Sequence, residues 1–220
     1  MSPLAALDHL LETVIAPAAG RTVARPGFPR RSVDALARAG LLGLTLEERL
    51  GGGGRGPQEA AEVVRRLAVV CPRTAAVLHS HYAAVILLGS GGGSWLRTGI
   101  ATGRQLLTLA LDDHPAWPGT AEEQSGVVRL SARKRGVVAA GEADGYLWSS
   151  PVPDGAAGTG TALWLVPAEA AGLHVPTGPD PSGTATRSVI ADPVRVPATA
   201  LIGVVAALPG RRPADLLPVA

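Results

Sequence analysis

Apolar residues recur at helical spacing through roughly the first hundred residues. Ser32 and Gly40 bracket one predicted helix as its N-cap and left-handed stop, and Pro57 opens another that runs to about Val70. The segment "CPRTAAVLHSHYAAVILLG" is apolar on nearly every side, so we expect a helix at the centre of the core. A short helix from Trp95 follows the loop "GSGGGS". The first amphipathic stripe consists of Leu4, Leu7, Leu10, Leu11, Val14 and Ile15.

The pattern changes near Leu106, where short segments with β-strand character begin. "LLTLAL", "VVRLSARKRG", "DGYLWSSPV", "TALWLVPA" and "RSVIADPVRV" follow one another, separated by Pro and Gly clusters. We therefore predict an α+β fold, with an N-terminal α-helical domain at residues 1–103 followed by a β-sandwich or barrel-like domain at residues 104–197. A short C-terminal tail or helix is expected at residues 198–220.

Composition narrows the class of protein. In 220 residues, 46% are hydrophobic and 17% are charged, which is typical of a globular chain. The net charge is only +2, and the arginine pairs are scattered, so nucleic acid is not an expected partner. Cys71 is alone, which excludes an intramolecular disulfide. No uncharged apolar run reaches the ~20 residues of a membrane span, and the N-terminus has no signal-peptide pattern, so we predict a cytoplasmic protein with no membrane contact.

The search for common catalytic and binding motifs does not identify a function. Gly51, Gly53 and Gly56 satisfy G-x-G-x-x-G, but they follow a helix and turn rather than a strand, so we interpret them as a flexible connector. There is no P-loop and no nucleophile elbow. The five histidines and the single cysteine lack structural zinc spacing, and no metal site is predicted.

Four segments, in order, resemble a known family. "FPRRSVDALARAGLLGLTLEERLGGGGRGPQEAAEVVRRLA" is similar to the N-terminal helical domain of the acyl-CoA dehydrogenases. "LSARKRGVVAAGEADGYLW", "ALWLVPAEAAGLHV" and "PSGTATRSVIADPVRVPATALIG" resemble three segments of that family's middle β domain. The resemblance covers most of Gly27 to Gly203. It implies the helical and β domains of an acyl-CoA dehydrogenase without the C-terminal helical domain.

The resemblance also implies where a flavin would lie. It puts Gly136 where the family has an aromatic residue and Val138 where it has a hydroxyl residue. The other flavin segment, "T-E-P-x-x-G-S-D" in the family, is "LDDHPAWPGT" here, with Asp112 and Asp113 replacing a hydroxyl and an acid. An added carboxylate should repel a reduced flavin and phosphates. We take the vestigial flavin positions to be Asp112, Asp113, Trp117, Thr120, Gly136 and Val138, with Trp117 a candidate stacking surface.

No residue inherits the family's catalytic base, because that carboxylate usually belongs to the C-terminal helical domain. The catalytic residues are therefore unknown. His79, His81 and Tyr82 lie on the central helix, which in the family runs beside the acyl pocket, and are substrate-pocket candidates, although a core or interface role is favoured. We expect no cofactor in the isolated chain, and FAD only if a partner completes the site.

Two functions follow from the resemblance. The favoured hypothesis is a protein that has lost flavin redox activity and acts, in a biosynthetic setting, as an acyl-thioester-binding protein, a repurposed non-redox enzyme or a partner subunit. The alternative is one half of a split flavin-dependent dehydrogenase acting on acyl-CoA or acyl-carrier protein. Expected partners are a second copy, or a full-length or C-terminal acyl-CoA dehydrogenase-like subunit. Arg129, Arg133 and Arg135 share a predicted strand face that suits a phosphate, an acidic carrier protein or solvent.

Overall fold

Helices form the first half of the chain. A computed structural model describes residues 3–22, 27–153, 160–178 and 183–205. A π-helical turn, Leu11–Ile15, separates the first two helices, so the predicted N-terminal stripe is not one continuous α-helix. The helices are α1 (Pro3–Leu10), α2 (Ala16–Thr22), α3 (Arg30–Arg38), α4 (Pro57–Val70), α5 (Pro72–Leu88) and α6 (Ser94–Ala101).

The helix ends follow local rules, with one exception. Pro57 begins α4, and the Glu59 carboxylate accepts the Gly56 N–H at 3.2 Å. Gly40 follows α3 with a φ of +75°. The prediction of Ser32 as the α3 N-cap is wrong, because the helix already begins at Arg30 and Ser32 is buried inside it. The central position predicted for α5 is confirmed, since most of its residues are buried.

The glycine run after α3 is closely packed, and its interpretation as a flexible connector is wrong. Gly53 N–H donates to the Gly43 carbonyl at 3.0 Å, and Gly54 N–H donates to the Leu46 carbonyl at 2.7 Å. A Cβ on Gly52 would lie 2.3 Å from the Leu46 carbonyl oxygen, well inside van der Waals contact. Glycine is therefore required here because two backbone segments approach each other, and not to cradle a phosphate.

This close approach makes a testable prediction. Gly52→Ala should lower the free energy of unfolding by about 1–3 kcal/mol, because the added methyl group must push the 43–47 segment away. Gly27→Ala is the matched control, since a Cβ there meets nothing within 4 Å. Urea denaturation of both variants measures the difference. Equal free energies of unfolding would show that the backbone around Gly52 accommodates the added methyl group without loss of stability.

The second half of the chain forms two four-stranded sheets. The strands are β1 (Leu107–Ala110), β2 (Thr120–Gln124), β3 (Val127–Val137), β4 (Gly145–Pro151), β5 (Thr161–Pro167), β6 (Leu173–His174), β7 (Arg187–Pro197) and β8 (Leu201–Val205). In one sheet the strand order is β1-β4-β5-β8, with β1 parallel to β4, and in the other it is β2-β3-β7-β6. Within the described residues the sheets face each other and do not close into a barrel. The predicted α+β class is confirmed.

Strand alternation gives the first sheet two apolar faces. On β4, Tyr146 and Trp148 point between the sheets, where they pack with Trp164. Leu147 points the other way and packs with Leu107 of β1 against α5 and α6. The helices, the first sheet and the second sheet therefore form three layers. No helix in the described part of the chain is long and apolar enough to cross a membrane.

One end of the β half differs from the sequence-based assignment. Leu201–Val205, predicted as part of a tail or helix, forms β8 and pairs antiparallel with β5. Pairing with an existing strand satisfies the backbone of a short apolar segment, which local sequence cannot reveal. The rest of the predicted tail, residues 206–220, lies outside the described residues.

Candidate functional site

Backbone pairing with β3 positions the loop that carries three of the predicted flavin positions, Asp112, Asp113 and Trp117, and Thr120 follows as the first residue of β2. His114 N–H donates to the Arg133 carbonyl at 2.7 Å, and Arg135 N–H donates to the Asp112 carbonyl at 2.9 Å. Trp117 N–H then closes a turn onto the His114 carbonyl at 2.8 Å. The loop is therefore fixed against the C-terminal half of β3, which brings the two predicted flavin segments side by side.

Lys134, the only lysine in the chain, holds these segments together from inside. Its side chain is 0% exposed, and its Nζ lies 2.7 Å from Asp113 Oδ1. The same Nζ donates to the Ser149 carbonyl at 2.7 Å and to Ser149 Oγ at 2.8 Å, while Ser149 Oγ donates to the Leu111 carbonyl at 2.7 Å. It also lies 5.2 Å from the centroid of the Trp148 ring. One cation thus joins the loop, β3 and β4.

This ion pair changes the electrostatic expectation for the loop. The negative charge of Asp113 is compensated by Lys134, so of the two aspartates in this loop Asp112 is the one without an ion pair. Burial lowers the pKa of Lys134, and the charge of Asp113 opposes that shift. One signal of this burial is visible in the sequence, because Lys134 falls in the same alternating register as the buried Val128 and Leu130.

Gly136 and Val138 occupy an irregular end of β3. The register with β7 shifts between Lys134 and Val137, and Gly136 adopts a φ of +64° in this bulge. A Cβ on Gly136 would meet nothing within 4 Å, so its position is open but favours glycine by conformation. The Val138 side chain is half-buried and packs against the helical core.

Buried hydroxyl groups fix the backbone at Val138. Thr108 Oγ1 donates to the Val138 carbonyl at 2.7 Å, and Ser80 Oγ, 2.8 Å away, donates in turn to Thr108 Oγ1. Leu109 N–H donates to Ser80 Oγ at 3.3 Å. These hydrogen bonds connect α5, β1 and the end of β3. The sequence analysis did not predict them, because Ser80, Thr108 and Val138 lie far from one another along the chain.

Two cavities divide the predicted flavin positions between them. The first has a volume of about 420 Å³ and is lined by both aspartates, Arg135, Ser149, Ser150 and Thr161. The second, of about 330 Å³, is lined by Trp117 and Thr120. Gly136 and Val138 line neither of these two cavities. The six positions therefore do not converge on one surface of the described chain.

The substrate-pocket candidates on α5 have structural contacts. His81 is fully buried; Leu107 N–H donates to its Nδ1 at 3.0 Å, so its Nε2 carries the proton and donates to the Leu42 carbonyl at 3.0 Å. Burial lowers the pKa of His81 to about 4. Tyr82 OH donates to the Leu41 carbonyl at 2.6 Å, and burial raises the pKa of this phenol. Neither side chain has an exposed surface that a substrate could touch, whereas His79 is half-buried.

Comparison with known proteins agrees with this architecture. Residues 4–93 match the family model "Acyl-CoA dehydrogenase, N-terminal domain". The glutaryl-CoA dehydrogenase of Mycobacterium smegmatis aligns with 92% of this chain and 55% of its own, with a TM-score of 0.80 at 16% identity. The chain has the acyl-CoA dehydrogenase fold. No curated protein matches its sequence.

Two further structures share the acyl-CoA dehydrogenase fold. KijD3, solved in complex with FMN and dTDP-3-amino-2,3,6-trideoxy-4-keto-3-methyl-D-glucose, aligns with 95% of this chain and 55% of its own, with a TM-score of 0.82 and 23% identity. The nitrososynthase of Micromonospora carbonacea var. africana aligns with 92% and 56%, with a TM-score of 0.78 and 25% identity. This chain therefore spans little more than half the length of these structures.

Proposed function

We propose that this chain is a non-redox member of the acyl-CoA dehydrogenase fold, which binds an acyl thioester or serves as a partner subunit and retains no flavin by itself. The observation that carries the proposal is at the end of β3, where Gly136 and Val138 stand at the positions that the family resemblance assigns to the flavin ring. The thioester, on coenzyme A or a carrier protein, is the ligand class that the family resemblance suggests.

The residues at these positions do not fit a flavin. An isoalloxazine ring needs a flat apolar surface on one face and hydrogen-bond donors at its polar edge. Gly136 has no side chain, and the side chain of Val138 has no donor and packs against the helical core. The family resemblance also puts the carboxylate of Asp112 in the second flavin segment, where its charge would repel a reduced, anionic ring. We therefore assign no chemical step to a flavin in this chain.

The first cavity supports the thioester-binding part of the proposal. Ser150 and Thr161 line its wall, and the exposed Arg135 is a cation for a carrier protein's acidic surface, whereas Asp112 on the same wall disfavours a phosphate. Two exposed apolar residues of β8, Leu201 and Val204, suit a contact with a partner subunit.

A flavin titration tests the proposal. The purified chain should be colourless and should bind FMN and FAD with dissociation constants above about 10 μM. Each stacking or hydrogen-bonding contact contributes on the order of 1 kcal/mol, and ~1.4 kcal/mol corresponds to a tenfold change in affinity. Fluorescence quenching of each flavin measures the constant. A yellow protein, or a submicromolar constant for either flavin, would overturn the proposal.

Two variants serve as controls for that titration. Val138→Thr restores a hydroxyl group, and Gly136→Trp restores an aromatic ring, but the φ of +64° at Gly136 disfavours any side chain there. We therefore expect the double variant to gain less than tenfold in flavin affinity. Neither substitution supplies a catalytic base, so acyl-CoA dehydrogenase activity should remain absent in both.

A second candidate is a flavin enzyme completed by a separate chain. The observation that favours it is that KijD3, which is similar in fold, was solved with FMN. Adding candidate C-terminal subunits to the flavin titration separates the two functions. A subunit that restores tight flavin binding would establish the split enzyme, whereas thioester binding without flavin supports the first candidate.

A further inference from the structure

A groove on the second sheet, here called the Trp117 groove, has no role in the function proposed above. It has a volume of about 330 Å³, near the lower end of the range for small-molecule sites, about 300–1,000 Å³. Thr120 on β2 lies directly opposite Ser131 on β3, and Trp117 precedes them in the loop. The groove is lined chiefly by Trp117, Pro118, Thr120, Ser131, Ile190 and Asp192.

The two sides of the Trp117 groove differ in chemistry. The indole ring of Trp117 is 55% exposed, and the guanidinium carbon of Arg133 lies 5.9 Å from the ring centroid. Asp192 is exposed on the β7 side. Within the described residues, the Asp192 carboxylate and the hydroxyl groups of Thr120 and Ser131 make no hydrogen bond or ion pair. The groove thus combines a flat aromatic surface with polar groups that are available to a ligand.

We propose that the Trp117 groove binds a neutral monosaccharide ring. One face of such a ring presents C–H groups that pack on an indole, and its edge carries hydroxyl groups that both donate and accept hydrogen bonds. Asp192 accepts from these hydroxyl groups, and Thr120 and Ser131 either donate to them or accept from them. Arg133 does not line the groove and contributes only its positive charge beside the Trp117 ring. A neutral ring therefore satisfies the indole, the carboxylate and the two hydroxyl groups together.

Other ligand classes satisfy only part of the Trp117 groove. A phosphate or carboxylate would be repelled by Asp192, which lines the groove, whereas an amine would gain from Asp192 but would meet the positive charge of Arg133 beside the Trp117 ring. An acyl chain would cover the indole but leave the Asp192 carboxylate and two hydroxyl groups without hydrogen-bond partners. Shape and charge therefore favour a small neutral polyol ring.

Titration followed by NMR tests this site on the intact chain. The indole N–H resonances of Trp117 and Trp95 serve as reporter and control, because Trp95 is also exposed, at 75%, but lies on α6. Methyl glucoside is the neutral probe, and glucosamine and glucuronate are its charged counterparts. We expect methyl glucoside to shift the Trp117 resonance saturably with a dissociation constant on the order of 1 mM, and to leave Trp95 unmoved.

Three variants then assign the binding. Trp117→Ala, read through the remaining backbone amide shifts, and Asp192→Asn should each weaken methyl glucoside binding about tenfold or more, whereas Trp95→Ala should not change it. No saturable shift, equal shifts at Trp95, or tighter binding of either charged sugar would overturn the proposal. The flavin titration uses different ligands and residues, so either proposal can fail without the other.

Discussion

Replacing Asp113 with asparagine is expected to lower the free energy of unfolding by about 3 kcal/mol, which is typical when a buried charge loses its partner. Lys134 is 0% exposed, and Asp113, whose side chain is 34% exposed, is the carboxylate that pairs with it. The ammonium group would keep its bonds to Ser149 but would remain buried with only the weaker influence of the Asp112 charge. Denaturant unfolding at pH 7 measures the loss.

A double-mutant cycle separates the ion pair from other effects. Lys134→Met should also destabilise the chain, but adding Lys134→Met to Asp113→Asn should cost less than the sum of the two changes, with a coupling energy of about 2 kcal/mol. Asp112→Asn is the matched control, because the neighbouring Asp112 makes no ion pair within the described residues, and it should cost under about 0.5 kcal/mol. Additive single effects would mean that the pair contributes nothing as a pair.

The lowered pKa of Lys134 also predicts how the free energy of unfolding depends on pH. The folded chain releases this proton at a lower pH than the unfolded chain, so the unfolded state binds more protons in the window below the ordinary value of 10.5. Stability should therefore rise with pH as pH climbs from the folded-state pKa to 10.5. The rise should disappear in Lys134→Met, whereas a rise unchanged in that variant would assign it to another group.

Acidification is expected to destabilise the chain by about 3 kcal/mol through His81 alone, because a shift of one pKa unit corresponds to ~1.4 kcal/mol. Burial lowers the pKa of His81 from 6.5 to about 4. The stability due to this shift is fully present above pH 6.5 and is lost as pH falls from 6.5 to about 4, since the unfolded state takes up the proton first. Unfolding curves between pH 7 and pH 4 measure it.

His81→Gln tests the assignment. Glutamine does not titrate, so the acid-sensitive part of the stability profile due to His81 should vanish. The variant should also lose about 2–4 kcal/mol at pH 7, because Leu107 N–H and the Leu42 carbonyl lose well-placed buried partners. His79→Gln, on the same helix but only half-buried, should keep the profile and most of the stability. An unchanged profile in His81→Gln would contradict the role given to His81.

Local patterns predicted most of the fold because they report which way each residue faces. Helical spacing predicted α4, α5 and α6, and strand alternation predicted β3, β4, β5 and β7. Alternation also separated Tyr146 and Trp148 from Leu147, which pack on opposite faces of the first sheet. These features depend only on the spacing of residues a few positions apart, so they can be predicted from the sequence.

The candidate site was predicted only in part. Family resemblance identified the loop and the end of β3 as neighbours, and backbone pairing between Asp112 and Arg135 agrees with it. It also predicted one added carboxylate in the pair Asp112 and Asp113 but gave no sign that Asp113 pairs with Lys134. That pair joins residues 21 positions apart, and its geometry depends on the register between a loop and a strand.

Most of the order of helices and strands, the burial of α5, and the lack of an aromatic residue at position 136 and of a hydroxyl residue at position 138 can be read from the amino-acid sequence. The burial of Lys134 beside Asp113, the packing of Gly52 against the Leu46 carbonyl, and the groove shared by Trp117 and Asp192 can be read only from the folded chain. The two groups of features differ in the distance along the chain over which their residues interact. Hydrophobic periodicity records which face of an element is buried, whereas an ion pair, a close backbone approach or a groove exists only after distant segments have packed in one register.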